Sequence, residues 1–519
     1  MPATAAPAVR LSEVVAALSL VSDLGMGRPM ERVLRQTVVA VRLADAAGVA
    51  ADVRTAAYYT SLLTWVGCAA DTSELADLFG DEQELYAETH DDDLGGMTMA
   101  VFVLRHLGDG GSQLRRVGMI GRFLLTAGRS VQRVMQSHCQ AASELAERLD
   151  LGDDVRLPLL QAFERWDGRG VPGDAGAAEL APAIRLVHLA DNIEAFFHTG
   201  GVDAALAVAR QRRGTQFDPE LVDCFSARHE EVLAGLDAVR AWDEVISLDP
   251  KLGATLSDDQ LDVVLESVAD FADLKSTYRI GHSRGVARLA ERAATALGLE
   301  AQDVVLVRRA ALVHDIGMVG VPSGIWEQTT PWTVSQRERA RSHPYLTERM
   351  FADVPGLAGV ARCASLHHER LDGSGYPHGL TSDALPLPAR ILAAADVCHA
   401  LAQQRPTRAP LPLEEAARVL RSEVRDGRLD GDAVGAVLQA AGSPRRVRRE
   451  LPGGLTAREA EVLVHLARGR SNPEIAAALT VSRKTVSSHL EHIYAKLGVS
   501  TRTQAALFAM RTGLVGDTS

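Results

Sequence analysis

Seven residues between positions 282 and 396 carry side chains that can hold divalent cations: His282, His314, Asp315, His343, His367, His368 and Asp396. Imidazoles and carboxylates suit hard and borderline metals, provided they converge from separate chain segments. His314 and Asp315 sit in ALVHDIG at the end of an apolar run, where the carboxylate is a candidate bridge between two ions. His282 opens the periodic stretch HSRGVARLAERAATALGL, His343 precedes Pro344, and His367 adjoins His368. Asp396 closes ARILAAAD, a pattern that puts its carboxylate on a buried helix. Donors from four or five helices would then meet in one bundle core, as in other two-metal helical sites. Two cations held about 3.5–4 Å apart would clamp a phosphodiester, activate a water and stabilise the leaving oxygen. A single histidine on an apolar helix is more often a core residue, so the inference rests on the set.

The elements that must position these donors occur twice. At an offset of 250, residues 11–67 align without gaps on residues 261–317, and at an offset of 205, ERWDGRGVP (164–172) aligns on ERLDGSGYP (369–377). The second offset also carries Arg185 onto Arg390 and Asp191 onto Asp396. The change of offset implies about 45 extra residues in the first copy, between Gly67 and His138. The economical reading is a duplicated helical domain. At the first-copy positions of the donors stand Arg32, Thr64, Trp65, His138, Ala162, Phe163 and Asp191, so five of the seven donors are replaced. The first copy is expected to keep the scaffold without the chemistry. DGSGYP by itself reads as a tight turn, and DGRGVP shows that the turn persists without the donors.

Roughly residues 258–445, through His282, HDIG, His343-Pro344, HHERLDGSGYP, Asp396 and Arg405-Pro406, resemble the HD-GYP branch of the HD metal-dependent phosphohydrolases. The resemblance implies two iron or manganese ions and hydrolysis of a cyclic dinucleotide such as c-di-GMP. It makes His282, His314, Asp315, His343, His367, His368 and Asp396 the metal ligands, with Asp315 and His314 at the catalytic centre. Gly375, Tyr376, Pro377 and Arg405 become the substrate-binding residues. Two positions depart from the family pattern. Met318 stands where relatives usually have a Lys near the phosphates, and Thr407 replaces a Tyr. Methionine cannot neutralise a phosphate, so two readings follow: a hydrolase of altered turnover, or an inert metal and nucleotide sensor.

Beyond Gly442 a basic linker, residues 443–454, leads to a second type of module. Thr456 to Glu459 forms a capping box, Asn472-Pro473 reads as a helix start, and Ser482 caps a helix running to about Leu497. Two short helices, the second bearing Arg483, Lys484 and Thr485 near its start, suit a reader of the major groove. Val486, Leu490, Ile493 and Leu497 recur at helical spacing as core, whereas His489 and His492 read as packing or surface residues. LTAREAEVL, GRSNPEIAAAL, VSRKTVSSHLEHIYAKLGV and TRTQAA resemble the LuxR/NarL-type helix-turn-helix family over residues 455–519. That resemblance implies contacts to double-stranded DNA from Ser482, Lys484, Thr485, Ser487, Ser488 and Glu491. Ser487 stands where relatives often carry Lys. It also implies a last helix, near residues 501–510, that pairs two chains into a homodimer on a two-fold operator.

Bulk properties agree with this division. The chain of 519 residues exceeds what one core supports, and its 4% aromatic content with abundant Ala, Leu and Arg favours helices over strands. We therefore expect an all-α protein: tandem HD-type helical bundles, over residues 1–245 and 258–442, then a four-helix LuxR-type domain. From Gly442 onward there are twelve Lys/Arg against six Asp/Glu, so a basic tail follows an acidic body within a net charge of −12. Five scattered cysteines exclude a disulfide framework and suit a reducing cytoplasm. No signal peptide or membrane-length apolar run is apparent. The acidic run at 88–93 reads as a solvated loop.

Overall fold

The computed structural model describes residues 7–68, 83, 105–106, 120, 129–237, 240–251, 254–442 and 452–515. The acidic run and residues 443–451 of the basic linker lie outside the described residues, as does most of the extra stretch of the first copy. Among the described residues the chain is helical throughout, with isolated β-bridges and no strand. It forms two compact units, the first mainly residues 1–263 and the second mainly residues 264–519.

In the first unit, α1 (Leu11–Gly25), α2 (Arg32–Ala47) and α3 (Ala51–Leu63) are followed by α4 (Arg129–Arg148), α5 (Asp153–Leu160) and the long α6 (Pro182–Gln211). Then come α7 (Pro219–Leu233) and α8 (Ala241–Ser247). α2 is the central helix and packs on α3, α6 and α7, burying Val33, Leu34, Val38, Val41 and Leu43. Spacings of three and four put these residues on the faces that meet its neighbours.

The second unit repeats the opening elements as α9 (Asp258–Asp273), α10 (His282–Ala296) and α11 (Ala301–Val313). After them come α12 (Val334–Arg341), α13 (His343–Met350), α14 (Ala358–Ser365), α15 (Leu387–Ala402), α16 (Leu413–Arg425) and α17 (Gly431–Gly442). Here α10 is central, packed on α11, α15 and α17. Its inner face is mostly alanine (Ala287, Ala290, Ala293, Ala294), so the neighbouring backbones come close.

The two units share local devices as well as helices. Asp23 accepts a hydrogen bond from Val33 N at 3.2 Å, and Asp273, its counterpart, accepts one from Ser283 N at 3.0 Å. A Cβ on Gly67 would lie 2.3 Å from His138 O, and one on Gly317 would lie 2.0 Å from His343 O. Only glycine allows either approach. In both DG-x-G-x-P loops a glutamate ties down the backbone: Glu164 accepts from Gly173 N and Asp174 N, and Glu369 accepts from His378 N and Leu380 N. The prolines of both loops, Pro172 and Pro377, follow cis peptide bonds.

The tail folds as α18 (Ala457–Ala467), α19 (Asn472–Leu479), α20 (Arg483–Leu497) and α21 (Arg502–Arg511). Thr456 and Glu459 form the expected capping box, and Ser482 Oγ accepts from Thr485 N at 3.0 Å. The start of α19 differs by one residue from expectation. Ser471 rather than Asn472 is the cap, because Glu474 reaches back to Ser471 N at 2.7 Å, which puts Pro473 at the second helical position. Thr480 turns between α19 and α20 with φ 53°. Val462, Leu463, Leu466, Ile475, Val486 and Ile493 build the core of this module, and Ile280 belongs to the same buried cluster. Leu274 packs against it, and Gly281 approaches Val515 so closely that a Cβ would lie 2.9 Å from its carbonyl oxygen.

Candidate metal centre

Each donor of the second unit is delivered by the end or the core of a helix. His282 opens α10 behind Gly281, whose φ of 74° makes the sharp entry; His314 and Asp315 follow the apolar end of α11. His343 begins α13, His367 and His368 follow α14, and Asp396 lies midway along the buried α15. All but His368 are buried to within 4% exposure, so the site is lined by polar groups the solvent does not reach.

Three of the imidazoles are oriented in the same way. Nδ1 of His314 donates to Ala311 O at 2.8 Å, that of His343 to Ala340 O at 2.6 Å, and that of His367 to Ala364 O at 2.7 Å. A carbonyl can only accept, so each Nδ1 holds a proton and each ring turns its Nε2 inward. Behind His282, Gln403 Oε1 and His399 Nδ1 lie 2.9 and 3.0 Å from its Nδ1, leaving Nε2 to face Asp396 Oδ1 at 3.1 Å.

Asp315 divides these donors into two sets. Its Oδ2 lies 3.2 Å from His314 Nε2 and 3.7 Å from His282 Nε2. Its Oδ1 lies 3.4 Å from His343 Nε2 and 3.6 Å from His367 Nε2. His368 Nδ1 stands 4.0 Å from Asp396 Oδ2. One donor atom each from His282, His314 and Asp315 lie within 4.8 Å of one another, and so do those of His343, His367 and His368. The structure thus brings together all seven residues singled out in the sequence.

The electrostatics fit cations at this position. Burial drives His282 down to about 4 and His367 down to about 3, in each case helped by neighbouring positive or imidazole groups. Burial also puts His368 well below its ordinary value. Burial opposes ionisation of Asp315, but Arg279 and His314 outweigh it and hold its carboxyl well below the usual range. Asp396 behaves likewise through His282 and His368. Burial works against a charged His314, yet the adjacent Asp315 wins and raises it. Nε2 of His343 and Nε2 of His367 face each other at 3.2 Å, where a cation between them would engage both. His314 Nε2 and both oxygens of Asp315 are buried without an aligned hydrogen-bond partner. Such orphaned groups in a rigid core are what metal coordination satisfies. This donor set fits divalent ions.

The expected substrate residues fall on two sides. Arg405 lines a cavity of about 430 Å³ that reaches His368 and Asp396, together with Arg279, Met318, Trp326 and Trp332. Tyr376 meets that cavity through His368, its ring centroid 4.8 Å from the imidazole, with the Arg341 guanidinium 4.6 Å over the ring. Gly375 and Pro377 complete a tight loop in which a Cβ on Gly375 would lie 2.4 Å from Arg370 N. Three residues of the site were not singled out in the sequence: Arg279, His399 and Gln403. Arg279 stands one turn before His282, and His399 and Gln403 follow Asp396 at helical spacing on or just past α15. Those spacings are the signal that could have found them.

In the first unit the same place is filled rather than open. Arg32 Nη2 binds Asp191 Oδ1 at 2.5 Å and its Nε lies 3.4 Å from Glu194. Trp65, His138 and Phe163 close edge to face around it, with centroids 5.0–6.3 Å apart. His138, the one imidazole kept, has Nε2 2.7 Å from Thr64 O.

On the tail, Ser482, Lys484, Thr485, Ser487, Ser488 and Glu491 are all exposed, along the start and one face of α20. Val486, Leu490 and Ile493 are buried, Leu497 is half-buried, His489 is half-buried and His492 is exposed. On α21 every residue except Arg511 is at least partly covered within this one chain.

Comparison with known proteins places these features in two families. Residues 266–433 match the HD domain family, and residues 454–509 match the luxR family of bacterial regulatory proteins. A 3'3'-cGAMP-specific phosphodiesterase of Vibrio cholerae is 26% identical over 434 residues, covering 83% of this chain and 94% of its own length. A cyclic di-GMP phosphodiesterase of Thermotoga maritima is 35% identical over 161 residues, 31% of this chain and 43% of that protein. A transcriptional regulatory protein of Bacillus subtilis is 55% identical over 65 residues, 12% of this chain and 30% of that protein. The crystal structure of a cyclic GMP-AMP specific phosphodiesterase from V. cholerae shares the fold, with a TM-score of 0.58 over 87% of this chain and all of that one, at 24% identity. The chain carries an HD domain of the HD-GYP kind. It is joined to a LuxR-type helix-turn-helix domain.

Proposed function

We propose that the chain is a DNA-binding transcriptional regulator whose HD-GYP site hydrolyses a cyclic dinucleotide, with c-di-GMP and 3'3'-cGAMP as the substrates to test first. The split of Asp315 carries this reading, one oxygen facing His282 and His314 and the other facing His343 and His367. In it the ligands are His282, His314, Asp315, His343, His367, His368 and Asp396, holding two ions, iron or manganese. Such ions would supply a water acidic enough to attack at neutral pH and positive charge for the developing phosphorane. The chain's own part is to fix the imidazole tautomers through the carbonyls of Ala311, Ala340 and Ala364, and to keep solvent from the donors. Gly375, Tyr376, Pro377 and Arg405 flank the substrate.

In the same reading residues 1–245 are a scaffold copy, 258–442 the metal-binding domain, 443–454 a basic linker and 455–519 the DNA-binding domain. The regulator works as a homodimer in the cytoplasm, where its DNA is; no described helix is long and apolar enough to cross a membrane. Ser482, Lys484, Thr485, Ser487, Ser488 and Glu491 meet DNA. Met318, apolar and 1% exposed where relatives carry a charge, favours a second reading in which the site binds nucleotide without turnover.

Protein reconstituted with Mn²⁺ or Fe²⁺ and given cyclic dinucleotides and an aryl phosphodiester separates the two. Turnover that disappears in Asp315→Ala supports the hydrolase; tight binding without turnover supports the sensor. A gel shift with and without the nucleotide shows whether the site speaks to the tail.

A further inference from the structure

The cavity beside the donors has an unusual charge pattern. Its lining includes two guanidinium groups, Arg279 and Arg405, while Met318 contributes none. Arg279 comes from the turn before α10, which is pinned from outside: Glu327 Oε1 accepts from Thr277 N at 2.9 Å and from Thr277 Oγ1 at 3.0 Å. Within the turn, Arg279 N donates to Ser276 O and His282 N donates to Arg279 O. The backbone of Arg279 is therefore set, and its side chain reaches the site. Nη1 comes within 2.6 Å of Asp315 Oδ2, yet that oxygen has no aligned hydrogen-bond donor. The pair is held by charge and not by the forked geometry that makes an Arg–carboxylate bond strong.

Cations on Asp315 would take over its charge and release Arg279 toward the cavity. Arg405 already suffers there: burial, followed by the nearby Arg279, pushes it down to about 9. Two guanidiniums lining one cavity call for an anionic partner. The adjoining wall suits bases. The indole N–H groups of Trp326 and Trp332 donate to Met318 O and Ile325 O, so the ring systems remain as apolar surface.

We propose that Arg279 is a substrate-binding residue that, with Arg405, clamps the phosphodiester of a nucleotide seated against Trp326 and Trp332. The inference rests on the phosphodiester reading of the site given above. It assigns the charge that Met318 lacks to a residue on a different element, the turn that leads into His282.

The test uses the full chain and compares Arg279→Met, Arg279→Lys and Arg279→Met with Met318→Lys. Bound metal, KM, kcat and the affinity for c-di-GMP and 3'3'-cGAMP are measured, alongside turnover of bis(p-nitrophenyl) phosphate. Arg279→Met is expected to weaken nucleotide affinity by about tenfold to a hundredfold, the usual worth of one charged hydrogen bond. Metal content should stay at the parent level, Arg279→Lys should recover much of the loss, and Met318→Lys should restore part of it. An unchanged affinity and KM in Arg279→Met would overturn the proposal. So would a loss of bound metal that accounts for the defect, since Arg279 would then only steady Asp315. If the parent handles the aryl diester but no cyclic dinucleotide, the substrate reading fails on its own, and the effect of Arg279→Met on the aryl diester still decides the clamp. If the parent neither binds nor cleaves any of the three, both fall.

Discussion

Arg32 Nη2 lies 2.5 Å from Asp191 Oδ1 in the first unit, where the second unit sets His282 Nε2 3.1 Å from Asp396 Oδ1. A guanidinium thus supplies permanently the positive charge that a metal would bring. Arg32→Ala should leave Asp191 buried without its cation while Arg35 still pairs with Glu194 at 2.8 Å, at a cost of about 3–5 kcal/mol, readable by denaturant unfolding. Arg32→His should not create a metal site, because Thr64 and Trp65 offer no donors, and bound metal per chain should equal that of the parent.

Asp315 faces both donor sets, whereas His282 serves one. Elemental analysis should therefore show a larger loss of metal in Asp315→Ala than in His282→Ala. Both variants should still shift DNA in a gel, which separates a metal defect from a folding defect. Equal losses would mean that Asp315 does not bridge.

Burial pushes Asp23 up to about 8, against the pull of Arg32. A carboxyl whose pKa rises on folding binds a proton in the native state that the unfolded chain gives up near its ordinary value. Its contribution is complete below about pH 4 and fades as pH climbs to 8, at a slope of at most about 1.4 kcal/mol per pH unit. Thermal melting of the parent should fall between pH 5 and 8 more steeply than that of Asp23→Asn. Parallel curves would refute this.

Lys484 is exposed in the first turn of α20. If it meets a phosphate, Lys484→Ala should lower DNA affinity across all sequences and reduce the slope of log K against log salt by about one per chain. A change confined to one operator would place it on a base instead.

The helical architecture and the donors were readable because each donor abuts an apolar run with its own period, as in ALVHDIG and ARILAAAD, and because a second copy exposed what had been lost. The cap of α19 was misplaced by one residue, since Ser471 and Asn472 are both good caps and only the reach of Glu474 decides between them. Arg279 left only its spacing, one turn before His282. Its meaning depends on Asp315, 36 positions later, coming within 2.6 Å through the packing of α10 on α11. Nor does anything in the tail's sequence announce Ile280 in its core, nearly two hundred positions away from the helices that cover it.

That shared apolar cluster makes the two trades of this molecule hard to pull apart. Ile280 is rooted among the side chains of the tail and stands two positions before His282, with Arg279 on its other side. Severing the chain at Gly442, or grafting on a foreign reader, would uncover Leu274 and Ile280 beside the turn that carries Arg279 and His282. Any swap of tails in the ancestry of such a molecule would have had to refit this seam as well.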